Sequence, residues 1–134
     1  MNQLEIRNVE MKVGDTVKIK GKISDEADRF AVNLGSDADH IGLHFQPRFH
    51  DCDDGAVIVC NSKCAGCWDS EQREHDFPFN KGDKFKMSIT FKGDVFAIKL
   101  PNDSVIEFPN RLSLETVTFV SVDGDFKLVS FGCR

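Results

Sequence analysis

The feature that most constrains this chain is an apolar rhythm of two. Val17, Ile19, Gly21 and Ile23 alternate with Lys18, Lys20 and Lys22; Phe30, Val32 and Leu34 repeat the pattern, and Phe85, Met87, Ile89 and Phe91 repeat it again. Successive side chains of a strand point to opposite faces, so each run supplies one face for a core and one for water. The runs are short and are closed by Gly14-Asp15, Asp54-Gly55, Gly82-Asp83, Gly93-Asp94 and Asp123-Gly124, residues that favour turns. The last of these, set between residues 117–122 and 125–131, predicts a tight hairpin. No stretch of about 10–12 residues keeps a helical apolar stripe free of Gly or Pro, and only residues 113–116 suit a helical turn. Roughly ten strands follow, and the economical arrangement is all-β, with two antiparallel sheets packed face to face.

Length and composition bound the rest. A chain of 134 residues has room for one core and not two, so residues 1–134 are expected to form a single domain. The longest apolar runs are about four residues, far short of the roughly 20 that cross a bilayer. A net charge of -5, with Lys and Arg dispersed among Asp and Glu, argues against nucleic acid and anionic membranes as partners. The start, Met1-Asn2-Gln3-Leu4-Glu5-Ile6-Arg7, lacks the pattern of a secretory signal peptide, which leads us to expect synthesis in the cytosol. Five cysteines, an odd set, fit reduced thiols better than a disulfide framework.

One strand carries polar chemistry on its wet face. In the segment 41–49 the apolar residues Ile41, Leu43, Phe45 and Phe49 share one parity, and His44, Gln46 and Arg48 share the other. An imidazole, an amide and a guanidinium therefore project together, about 7 Å apart along the strand. By itself such a row fits an ordinary solvated face. After Val57, Ile58, Val59, Cys60 and Asn61, however, come Trp68, the only Trp, and then Glu71 and Arg73, again two apart. A planar aromatic beside charged hydrogen-bonding groups suits a sugar, which has an apolar C–H face and a rim of hydroxyls. An Arg48–Glu71–Arg73 lattice would hold each guanidinium in place before a ligand arrives.

These residues resemble the recognition motif of the galectin family, H-x-N-P-R-F, V-x-N and W-x-x-E-x-R, which here reads His44-Phe45-Gln46-Pro47-Arg48-Phe49, Val59-Cys60-Asn61 and Trp68-Asp69-Ser70-Glu71-Gln72-Arg73. The segments 30–35, 77–79, 108–112 and 122–127 are similar to prototype galectins as well. The resemblance implies a jelly-roll-like sandwich of the concanavalin type that binds β-galactosides such as lactose, without a cofactor or metal. It implies that Trp68 stacks under galactose, that His44 and Arg48 bond its axial 4-hydroxyl, and that Asn61 and Glu71 hold its 6-hydroxyl. Arg48, Glu71 and Arg73 would reach the 3-hydroxyl of the adjoining sugar, and Asp54 would approach that sugar through water or through Arg73. Gln46 departs from the family's Asn; its extra methylene shifts the amide by about 1.5 Å, enough to lose a hydrogen bond unless the chain folds back, and predicts weaker binding of plain lactose.

A disaccharide of about 23 heavy atoms at roughly -0.3 kcal/mol each binds with micromolar affinity, so useful binding calls for more than one site. Prototype galectins commonly pair through terminal strands, and Leu4, Ile6, Val9, Leu128, Val129 and Phe131 supply apolar residues for a homodimer that would cross-link glycans. The resemblance also implies a protein both cytoplasmic and extracellular, exported without a signal peptide.

Two other chemistries compete for these residues. A glycosidase needs two carboxyl groups flanking the bond, one of them a proton donor; Glu71 stands among arginines and no second motif carboxylate is evident, so no turnover is expected. Cys64-Ala65-Gly66-Cys67 has the spacing of thiol-redox and zinc motifs, which leaves a thiol-redox or zinc-binding β-sandwich as the alternative. Set just before Trp68, the same pair could on oxidation stiffen the loop and displace the ring.

Overall fold

A computed structural model describes residues 2–134. Within these residues, twelve strands form two antiparallel sheets. The first runs in the order β1 (Asn2–Met11), β11 (Val117–Gly124), β3 (Phe30–Asp37), β4 (His40–Asp51), β5 (Gly55–Cys64) and β6 (Cys67–Trp68), with β7 (Gln72–Glu74) also paired to β5. The second runs β10 (Val105–Pro109), β9 (Val95–Lys99), β8 (Lys84–Phe91), β2 (Thr16–Ile23) and β12 (Phe126–Cys133). The expected all-β sandwich is therefore what forms. The strands beyond the roughly ten expected include the short pieces β6 and β7, which hold Trp68 and Arg73 at the two ends of their motif.

Burial follows the alternation. Along β2, Val17, Ile19 and Ile23 are buried while Lys18, Lys20 and Lys22 are exposed, and β8 repeats this with Phe85, Met87, Ile89 and Phe91. Phenylalanines join the sheets: the Phe30 ring lies 5.0 Å from Phe126, 5.2 Å from Phe85 and 5.4 Å from Phe79 between centroids. A core built on Phe rather than Tyr brings no hydroxyl that would need a buried partner.

Two expectations fail. The predicted hairpin at Asp123-Gly124 does not form: β11 pairs with β1 and β3, whereas β12 pairs with β2 in the other sheet. Gly124 has a φ of +107°, and a Cβ there would meet the Phe30 Cα at 2.5 Å, so this glycine serves a crossing between sheets against a close backbone. Residues 113–116 make no helical turn. The Asn110 side chain takes the place of a helical ladder, accepting from Leu114 N at 3.1 Å and donating to the carbonyls of Leu114 (2.9 Å) and Gly93 (2.7 Å).

Candidate functional site

The outer face of the first sheet gathers most of the polar residues singled out in the sequence. On β4, Leu43, Phe45 and Phe49 are buried in the core while His44, Gln46 and Arg48 lie half-buried on the opposite face. Strand register brings their neighbours alongside: Asn33 of β3 and Asn61 of β5 flank His44, and Val59 of β5 followed by Arg73 of β7 flank Gln46.

His44 is held in one tautomer. Its Nδ1 lies 2.6 Å from Asn33 Oδ1, and the Asn33 amide donates to Ser121 Oγ at 3.1 Å, which leaves Oδ1 as the acceptor. Nδ1 therefore carries the proton and Nε2 keeps a lone pair. Burial, then the charges of Arg48 and Lys63, lower the His44 pKa to about 4, with Glu71 opposing. The ring is neutral at pH 7.

Beside it stands the arginine lattice. Glu71 Oε1 accepts from Arg73 Nε and Nη2, both at 3.0 Å, and Glu71 Oε2 lies 3.7 Å from Arg48. The centre of the lattice is Asp51, whose carboxylate takes Arg48 at one oxygen and Arg73 at the other, each at 3.0 Å. Hydrogen bonds from Arg73 first, then Arg48, hold the Asp51 pKa well below the usual carboxylate range, with burial opposing. Asp54, Asp51 and Glu71, in that order, raise the pKa of Arg73. Asp54 meets Arg73 directly at 2.8 Å. Gln46 folds back so that its Oε1 accepts from Arg48 Nε at 2.8 Å, and the longer side chain thereby stays within the lattice.

Trp68 is carried by a two-residue hairpin. Ala65 (φ 51°) and Gly66 (φ 79°) are both left-handed, the geometry of the tight turns that match strand twist, and Cys64 pairs across to Cys67 and Lys63 to Trp68. The indole is 49% exposed. His44 tilts against it at 4.7 Å between centroids, and the Lys63 ammonium lies 5.0 Å over the ring. Buried Asn61 donates to the Asp69 carbonyl at 2.9 Å and so ties down the segment between Trp68 and Glu71. Arg111 joins the same tie at Ser70 O (2.8 Å) and Ser62 Oγ (3.2 Å). All five cysteines are free, and burial pushes the Cys60 thiol up to about 12.

A half-exposed aromatic face at the end of a row of fixed donors and acceptors fits a rigid ligand with one apolar face and a hydroxyl rim. A profile of the galactoside-binding lectin family matches residues 3–133. Human galectin-2 is 43% identical over 129 residues, covering 96% of this chain and 95% of that protein. The chain belongs to the galactoside-binding lectin family. Two solved galectin-like lectins share its architecture: a homodimeric agglutinin from chicken liver (TM-score 0.92, 42% identity, 98% of both chains), and a toad ovary galectin in complex with thio-digalactose (TM-score 0.93, 36% identity, 100% of this chain and 99% of that one). Galectins are carbohydrate-binding proteins and not enzymes, and nothing in these relatives supports the thiol-redox or zinc alternative.

Within this lectin fold, four contributors escaped the sequence reading: Asn33, Asp51, Lys63 and Arg111. Asn33 could have been found by extending the parity argument to 30–35, where it is the polar residue among apolar ones. Asp51, two residues beyond Phe49 at the end of the 41–49 run, gave no such signal.

Proposed function

We propose that residues 1–134 act as one carbohydrate-recognition domain that binds β-galactosides of the lactose or N-acetyllactosamine type across His44, Gln46, Arg48, Asn61, Trp68, Glu71 and Arg73, with Asp54 acting through Arg73. The observation that carries this reading is the half-exposed Trp68 beside a neutral His44 and a fully paired arginine lattice. The C–H face of galactose covers the indole, the His44 lone pair accepts a hydrogen bond from the axial 4-hydroxyl, and Arg48 donates to its oxygen. A sugar with that hydroxyl equatorial points it away from both groups, which is the basis of selection against glucose. Ordered side chains lose little freedom on binding, so the groups are aimed before the ligand comes.

Because Trp68 is the only Trp, its fluorescence reports the site directly. Lactose is expected to shift the emission with micromolar affinity and to elute the protein from immobilised lactose, while Trp68→Ala abolishes retention. Unchanged emission at millimolar lactose together with full retention of the Trp68→Ala variant would sink the reading.

The same proposal extends to assembly. β1 and β12 are each an edge strand, open to pairing with another chain, and a relative of the same fold is described as homodimeric. Of the six apolar residues expected at such a junction, Leu4, Val9, Leu128 and Phe131 pack partly against the core, Ile6 is half-buried and Val129 is 63% exposed. A two-fold dimer through these strands presents two sugar sites and cross-links cell-surface or matrix glycans. Its setting is cytoplasmic and extracellular, with export independent of a signal peptide; no helix among the described residues is long and apolar enough to cross a membrane. Mass in solution tests the dimer, and a monomer at high micromolar concentration overturns it.

A further inference from the structure

The outer face of the second sheet carries seven exposed lysines: Lys18, Lys20 and Lys22 on β2, Lys84 and Lys86 on β8, Lys99 on β9 and Lys127 on β12. Register aligns them in rows across the strands. Lys84, Lys22 and Lys127 form one, Lys86 and Lys20 the next, and Lys99 and Lys18, separated by Ser88, the third. Neighbours in a row are about 4.8 Å apart and successive rows about 7 Å apart. No Asp or Glu lies on β2, β8, β9 or β12; the acid of this sheet's outer face is Glu107, on the edge strand β10. Lys99 reaches Asp103 at 3.7 Å in an exposed pair, and among the described residues the other six make no ion pair.

This arrangement runs against the charge of the chain as a whole, which is -5, and against local stability, because like charges directly opposite in a sheet destabilise it. Lys20↔Lys86, Lys22↔Lys84 and Lys22↔Lys127 are three such contacts. Solubility needs polar residues here and does not need them all cationic. Lys20 also borders three adjoining hollows of about 390, 430 and 310 Å³, each lined by further lysines.

We propose that this lysine face is a second binding surface, one that holds a sulfated polysaccharide chain of the glycosaminoglycan type. Regularly spaced sulfates on an extended polymer complement rows of compact ammonium charges and remove their mutual repulsion. Single-stranded nucleic acid is disfavoured because no aromatic ring is exposed on the face to stack a base. A lipid surface is disfavoured because the face exposes only two large apolar residues, Val105 and Val129, set at its opposite edges on β10 and β12. The face belongs to the sheet opposite the one carrying Trp68, so both surfaces can be occupied together.

The test is chromatography on immobilised heparin with saturating lactose throughout, comparing the natural chain with a Lys20→Ser, Lys22→Ser, Lys84→Ser, Lys86→Ser variant. Retention at physiological salt is expected, with roughly tenfold or greater loss of heparin affinity in the variant and unchanged retention on lactose, which also shows that the variant folds. Flow-through of the natural chain, or equal elution of the two proteins, overturns the proposal. Equal affinity for a single-stranded oligonucleotide or for phosphatidylserine vesicles overturns the choice of polysaccharide.

Discussion

The two outer faces of this sandwich use the same strand alternation to opposite electrical effect. On β4, β5 and β7, Arg48 and Arg73 are locked between Asp51, Asp54 and Glu71 at 2.8–3.7 Å. On β2, β8 and β12, lysine faces lysine. Paired guanidinium and carboxylate groups restrain each other's rotamers, giving a surface whose hydrogen-bond directions are set in advance. Unpaired ammonium groups on long flexible stems set no direction; they offer charge density alone. The first face therefore suits one stereochemistry, and the second suits any partner with the right spacing of negative charge.

The largest expected effect concerns His44, the neutral member of the ordered face. Between pH 6.5 and about 4 the unfolded chain binds a proton there that the folded chain refuses, so stability falls across this window as pH drops and levels off below it. At about 1.4 kcal/mol per pKa unit the loss is on the order of 3 kcal/mol. Urea titrations at several pH values compare the natural chain with His44→Gln; parallel pH profiles would show that the ring is not held neutral by its surroundings.

Next comes Asp51→Asn, which removes the charge joining both arginines. Lactose affinity is expected to fall by roughly 10- to 100-fold, read by Trp68 fluorescence. A loss below twofold would mean that the arginines are ordered without their central carboxylate, and the contrast with the lysine face would weaken. Gln46→Asn sharpens the comparison on a finer scale: removing one methylene is expected to strengthen lactose binding by about two- to fivefold. Calorimetry showing less than a twofold change removes any penalty for the longer amide. The smallest effect belongs to the other face. Lys20→Ser with Lys86→Ser relieves one opposed pair and should raise Tm by about 1–4 °C; a lowered Tm would show that the pair is not repulsive in place.

How much of this was legible varies by residue. The parity of 41–49 placed Phe45 in the core and His44 and Arg48 outside it, because alternation is a local property of extended backbone. The exposure of Trp68 is legible in its neighbours Gly66, Cys67, Asp69 and Ser70, which offer no apolar run to bury it. Asp51 was not legible: its partners are Arg48, near in sequence, and Arg73, which arrives only when β7 pairs with β5. Arg111 reaches Ser70 from a loop far along the chain, and no spacing rule connects them. The Asp123-Gly124 step misled for a related reason, since a turn residue shows that the chain bends and not which sheet receives it.

By itself the amino-acid order determined the strands, the inward phenylalanines, the outward polar row and the family to which the chain belongs, because each rests on short-range periodicity or on a contiguous motif. Tertiary structure alone decided that Asn33 fixes the tautomer of His44, that Asp51 joins two arginines, and that lysines from four strands lie in rows. Those outcomes depend on register between strands distant along the chain, and register is settled only when two faces bury their apolar side chains together.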